Sequence, residues 1–443
     1  MKNRKALGLL VALMVSVLCV GNVFAFDASA RDDSSRVTVG QNYYGDVLLG
    51  QIYQTQWNYS STIKVINTST TRAIVAKVVF RSAVCSTDVR DFVIYLTPTD
   101  MWEGEVRVDA NGAVEIYSTD DSVLASREYD WDGTAACNPF TGVWASEETP
   151  FRVGFVAAGA GDTNLFGHIE VHGLAAYPAT APLDKDTLAM AYGNMAGVPA
   201  VGIAGLIACD FNLDGDVEDV PNVLTGILSL ENSYFDQLTS INMTALKNWN
   251  DTPIFINTTS SSGLNLSTDN TVVETEAALA KTEYSIPFDF SADTGYADTI
   301  IINMLPTHYL AGTGGSGIFT ITCSGLAGLV YNVYDMMETR LISYLSPVRF
   351  LNTLPEVSMQ ALLPNIRQAV AAGYEKGWVK VTLPGAGTGI AMDGVSRVNY
   401  AGAPIINSYI NVNQNGDLDW SYAASPESVV TYTIGTNTVQ VRQ

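Results

Sequence analysis

Ile74-Val-Ala-Lys-Val-Val-Phe-Arg81 is the stretch that decides the fold. Ile74, Ala76, Val78 and Phe80 recur at period two and share one strand face, with Lys77 and Arg81 on the other. The pattern repeats along the first half of the chain. Phe92, Ile94 and Leu96 face inward until Pro98 breaks the run, and Val106 and Val108 alternate with Glu105 and Arg107. Further strands are expected at 46–55, 61–67, 114–119, 151–158 and 165–172. Short strands at this spacing, separated by Asn, Asp and Gly, predict an all-β chain with minor α content. They point to a β-sandwich rather than βαβ units.

A chain of 443 residues exceeds one typical core. Its composition shifts over 178–222, where Pro178, Pro182 and Pro199 accompany a small-residue stretch and an acidic loop. The expected organisation is two β-sandwich, immunoglobulin-like domains, at 26–180 and 223–443, joined by a small-residue and acidic connector at 181–222. Strands are expected near 223–231, 284–290, 298–305, 317–323, 329–337, 377–383, 404–412 and 429–442, with helices at 271–281 and 357–373. Leu188 to Cys209 is uncharged and long enough to cross a bilayer, but Asn194, Pro199 and several glycines interrupt it. A buried, irregular connector is expected there, and no transmembrane span.

The N-terminus sets the compartment. Lys2, Arg4 and Lys5 precede the apolar run Ala6 to Val20, and Val23-Phe24-Ala25 supplies a small-residue cleavage pattern. Residues 1–25 therefore read as a secretory signal, and the protein is expected outside the cell or on its surface, exported through the Sec pathway. Removing the signal leaves 20 basic against 45 acidic residues, a net charge of about −25. Nucleic acid and anionic membranes are bound through clustered Lys and Arg, so both are excluded as partners. An exported compartment permits disulfides among Cys85, Cys137, Cys209 and Cys323. Cys85–Cys137 with Cys209–Cys323 keeps each bridge within one half of the chain; free buried thiols are the alternative.

Asp210-Phe-Asn212-Leu-Asp214-Gly215-Asp216-Val-Glu218 is the strongest chemical motif. Oxygen-bearing side chains at positions 1, 3 and 5, followed by Gly at 6, suit a hard cation, so structural Ca²⁺ is expected on Asp210, Asn212, Asp214, Asp216 and Glu218. The first nine positions resemble the calcium loops of dockerins and EF-hands; Pro221 stands where those loops close with a carboxylate. The bland reading is an acidic solvated turn. His168, Glu170 and His172 share one face of an expected strand, a spacing open to a transition metal or to a solvent-facing polar stripe. Trp102, Trp131, Trp144, Trp378 and Trp420 fall near strand ends, where they either stack on sugars or anchor cores. No GxSxG, HExxH or Walker sequence is present, and no catalytic residue is assigned.

Several short signatures occur in order: Val65-Ile-Asn-Thr-Ser69, Asp91-Phe-Val-Ile-Tyr-Leu-Thr-Pro-Thr-Asp-Met-Trp102, Phe166-Gly-His-Ile-Glu-Val171, Val223-Leu-Thr-Gly226, Asn242-Met-Thr-Ala-Leu246, Leu305-Pro-Thr-His308 and Gly377-Trp-Val-Lys-Val381. With them the chain resembles a group of uncharacterised secreted and cell-surface β-rich proteins of Gram-negative bacteria, and its composition is similar to that of surface-layer proteins. A structural rather than an enzymatic role is expected. The expected partner is a second copy of the chain, in an array or filament. A secreted adhesin or carbohydrate-binding module, with a glycan as partner, is the alternative; a metal-dependent secreted hydrolase using His168 and His172 is the third reading. The strand-like end Val429 to Val441 either joins a neighbour's sheet or closes its own domain.

Overall fold

A computed structural model describes residues 37–40, 42–55, 59–82, 88–126, 142–156, 165–178, 184–197, 217–232, 237–250, 252–255, 272–289, 296–304, 330–337, 340–345, 357–358, 376–383, 386–390, 397–413, 418–419, 429–434 and 437–442. The strands of the first part are β1 (Thr38–Val39), β2 (Val47–Gln54), β3 (Tyr59–Asn67), β4 (Arg72–Ser82), β5 (Asp88–Leu96), β6 (Met101–Val108) and β7 (Val114–Ser118). They continue with β8 (Leu124–Ser126), β9 (Val143–Trp144), β10 (Phe151–Gly154), β11 (Phe166–Pro178), β12 (Leu224–Asn232), β13 (Gln237–Asn242) and β14 (Thr244–Lys247). Two helices, α1 (Lys185–Gly197) and α2 (Val272–Leu279), complete the elements that matter below.

Two six-stranded antiparallel sheets carry the architecture, in the orders β1-β14-β2-β11-β4-β5 and β10-β7-β6-β3-β12-β13. Their inner faces meet in one core. Leu48, Ile74, Ala76, Val78, Phe80, Phe92, Ile94, Ile169 and Val171 come from the first sheet, and Ile63, Val65, Trp102, Val106, Ile116, Leu228 and Leu230 from the second. The alternation that begins at Ile74 thus selects the face that packs against the other sheet. Aromatic rings fill the centre: Phe92 lies 5.4 Å from Trp102 and 4.9 Å from Phe151, centroid to centroid.

Strands β12 to β14, which follow the expected boundary at residue 222, belong to these two sheets. β12 pairs with β3 along its whole length, from Leu224↔Asn67 to Asn232↔Tyr59. β14 pairs with both β2 and β1. With 12 strands, the unit also exceeds the seven or nine of an immunoglobulin domain.

The first sheet is covered on its outer face too. At one end α1 lays Leu188, Ala189, Ala191 and Tyr192 on Ala73, Val75, Tyr95 and Tyr177. Asp184 caps this helix, its Oδ1 accepting from Thr187 N at 2.7 Å. An irregular connector was expected over this stretch. A helix forms instead, because Leu188, Ala189, Ala191 and Tyr192 give it one apolar side to bury. At the other end Val47, Leu49 and Leu246 pack with Trp249, Ala278 and Leu279 of α2, and Ile406. α2 is only 8 residues long and depends on tertiary contacts. Glu274 accepts from Val37 N at 3.1 Å, and Glu276 from Tyr400 Oη at 2.6 Å.

Beyond α2 the strands form smaller antiparallel sheets. Glu283–Asp289, Lys376–Thr382, Val330–Asp335 and Arg340–Leu345 make one; Val357–Ser358, Tyr296–Met304, Ile406–Asn413 and Leu418–Asp419 a second; Ala386–Ile390, Arg397–Ala401, Val429–Ile434 and Asn437–Arg442 a third. The C-terminal run is therefore two strands of one in-chain sheet, with Asn437–Arg442 at its edge. Where a helix was expected at 357–373, Val357–Ser358 is extended and the remainder lies outside the described residues. Among the described residues no helix is long and apolar enough to cross a membrane.

Candidate functional site

The outer face of the first sheet carries a band of ionisable side chains between its two apolar ends. β11 sets His172 opposite Lys77, Glu170 opposite Val79 and His168 opposite Arg81, and β5 continues the row with Asp91 beside Val79. Period-two geometry puts the three β11 side chains on one face, as the spacing suggested. Their environment differs from the expected solvent-facing stripe: His168, Glu170 and His172 are all fully buried.

Glu170 is the hub. Its Oε1 lies 3.3 Å from His168 Nε2 and 2.9 Å from Arg81 Nε, and its Oε2 lies 3.0 Å from His172 Nε2. Lys77 pairs with Asp91 beside it, and the His172 ring sits 5.1 Å from that of Trp249. On the same strand Gly167 leaves room for Tyr53 of the inter-sheet core. An ideal Cβ there would fall 2.0 Å from Arg81 O and 2.6 Å from the Tyr53 ring, a clash no larger residue escapes.

The charge states follow from burial and contact. Burial disfavours the imidazolium forms and outweighs the adjacent carboxylate, so both histidines titrate below their usual range. Burial also opposes ionisation of Glu170. The Arg81 charge and the two imidazole hydrogen bonds overcome it and hold this carboxyl well below the usual range. Glu170 and Arg81 are thus an ion pair, and each neutral histidine donates from Nε2 to the carboxylate. At the rim of the band, burial pushes Asp88 up to about 6 against the pull of Arg81.

Such a network serves as a packed, neutralised seam. A transition metal on His168 and His172 would have to take both Nε2 atoms away from Glu170. Among the described residues no group of three His, Cys, Asp or Glu has the arrangement to hold a metal ion.

The seam makes stability depend on pH. Each histidine stays neutral when folded and is protonated on unfolding below its ordinary value of 6.5. Depressed values of this kind give stability that is complete above that pH and is lost as the pH falls through it. Asp88 acts with the opposite sign, but only between 3.8 and about 6. Thermal melts at pH 7.5 and 6 are therefore expected to differ by about 1–2 kcal/mol in favour of the higher pH. The His168→Gln/His172→Gln variant should lose that slope; a slope unchanged in the double variant contradicts the assignment.

The other expected site residues fare differently. Asp210, Asn212, Asp214 and Asp216 lie outside the described residues, as do Cys85, Cys137, Cys209 and Cys323. Glu218 is described and has another partner: its Oε2 accepts from Arg72 Nε at 2.6 Å, and its backbone bridges Ala176. Trp102 is buried in the core, so it offers nothing to a sugar. Trp144 donates from Nε1 to Asp186 at 2.5 Å, and Trp378 stacks on Tyr334 with centroids 4.2 Å apart and planes 10° from parallel. Trp131 and Trp420 lie outside the described residues.

The residues that sequence reasoning passed over are Lys77, Arg81 and Asp91. Their alternation with apolar neighbours reads equally well as a wet face, and only the sheet order brings them beside Glu170. No protein-family model, no curated protein and no solved structure matches the chain.

Proposed function

We propose that the chain is an exported structural protein of the cell surface that assembles with copies of itself into an array or filament. The observation that carries this reading is the state of its sheet edges. The second large sheet ends in β13, and the C-terminal sheet ends in Asn437–Arg442. These edges lie far apart in sequence and in different sheets. Two independent contacts per copy are what a non-closing assembly requires, whereas one self-complementary contact stops at a dimer. The large sheets and the ion-paired seam then act as a stiff building block, and the smaller sheets beyond residue 283 act as the second sandwich unit.

Calcium belongs to the same proposal. Asp210, Asn212, Asp214 and Asp216 hold the ion and so offset their own repulsion, while Glu218 fastens the end of the connector to Arg72. The bridges Cys85–Cys137 and Cys209–Cys323 remain the proposed disulfides. A glycan-binding role ranks second. Its best described platform is the Tyr334–Trp378 pair, but these rings are stacked on each other and half-buried.

Sedimentation and electron microscopy of residues 26–443, with added Ca²⁺ and with EGTA, test the reading. Ordered, concentration-dependent assemblies are expected, with assembly and melting temperature both lowered by EGTA. A chain that stays monomeric at high concentration in both conditions overturns it.

A further inference from the structure

The four edges of the two large sheets are not alike. β1 is only 2 residues long. The outer edge of β5 is covered: Tyr95 N donates to Ser122 O at 2.8 Å, Val156 N to Val89 O at 2.9 Å, and Ile94 bridges Val123. β10, of 4 residues, carries the Arg90 side chain on Gly154 O at 2.5 Å. β13 is 6 residues long, Gln-Leu-Thr-Ser-Ile-Asn, without a charge, a proline or a bulge. Natural sheets guard long edges with such devices. Among the described residues, β13 has none.

The groups it offers follow from the register. Met243 N donates to Gly226 O at 2.9 Å, which continues the β12–β13 ladder by one residue. Hydrogen-bonding direction alternates along an antiparallel strand, so the N–H and C=O of Leu238, Ser240 and Asn242 point away from β12. Ser240 and Ser229 agree with this: they form a pair without ladder bonds, with Oγ atoms 2.7 Å apart. Of the outward groups, only Asn242 O has a described contact, a long one of 3.5 Å from Gln51 Nε2. Leu238 is 69% exposed.

We infer that β13 pairs with β13 of a second copy, antiparallel, about a two-fold axis through Ser240; this rests on the self-assembly reading and names its first contact. The axis sets Ser240 against Ser240 and Leu238 against Asn242 of the partner copy. Every outward N–H then meets an outward C=O, and the two sheets become one. A second copy is the fitting occupant for two reasons. The edge is self-complementary under that one operation. It is also uncharged in a chain of net charge −22, so like copies repel least there.

Cysteine cross-linking tests the register. Antiparallel partners on the axis have Cα atoms about 5.5 Å apart, within disulfide reach. Ser240→Cys should therefore form an oxidised dimer well above the background set by the unsubstituted chain. The Leu238 positions of two copies would be about 14 Å apart, out of reach, so Leu238→Cys alone should not cross-link, whereas Leu238→Cys with Asn242→Cys should. Ser240→Pro removes an outward donor without touching the β12 ladder. Its melting temperature should stay near that of the unsubstituted chain, while the association constant falls by about tenfold or more. Ser240→Lys should do the same through charge. If the chain assembles but both Ser240 variants assemble equally well, or Leu238→Cys cross-links as well as Ser240→Cys, the contact is wrong and the assembly reading stands. If the unsubstituted chain never associates, both fall.

Discussion

A fragment ending at residue 222 is expected not to fold. It would lack β12, β13 and β14, and with them Leu224, Leu228, Leu230, Met243, Ala245, Leu246 and Trp249, all of them buried. A buried side chain of this size contributes about 2 kcal/mol, and the whole stability of a domain is on the order of 5–15 kcal/mol. The loss of these residues alone is therefore comparable to everything the unit has. The deletion also bares the full length of β3 and the β14-facing edge of β2, two strands that are interior to their sheets in the whole chain. Circular dichroism and proteolysis of residues 26–222 against residues 26–443 decide it. A soluble, cooperative fragment would show that the sandwich closes without its last three strands.

Glu170→Ala is expected to be strongly destabilising. It leaves Arg81 charged and buried with its counter-ion gone, and it strips the acceptor from both imidazoles. Breaking one half of a buried ion pair costs about 3–5 kcal/mol. The pair itself need not be stabilising, since desolvation offsets most of its attraction. Arg81→Met combined with Glu170→Leu is therefore expected to be more stable than Glu170→Ala alone. Denaturant melts of the two variants separate a seam that matters for charge balance from one that matters only for volume. Equal losses would sink the ion-pair account.

Much of the fold was legible in local alternation, because period two needs only neighbours. Ile74, Ala76, Val78 and Phe80 face the inter-sheet core as their spacing implied. What alternation left open was the fate of the opposite face. Val75, Lys77, Val79 and Arg81 are as buried as their neighbours; residues 188–192 pack on Val75, and Trp249 packs on His172 of the adjacent strand, both from far along the chain. The same distance hid the partner of β12. Leu228 and Leu230 announce a strand, but nothing within β12 says that its partner is β3, more than 150 residues earlier. At the site, the grouping of His168, Glu170 and His172 was legible from their i, i+2, i+4 spacing. Arg81 as the counter-ion was not, because the β4–β11 register that joins them is a property of the sheet.

The pairing of β1 with β14 joins Thr38 to Lys247. A loop of this span must close before its contacts repay the entropy lost, so the sandwich nucleates late and folds slowly for its size. Until residue 247 is available, the first sheet lacks β14 and with it the link from β2 to β1. That interval is when a wrong neighbour can steal a strand.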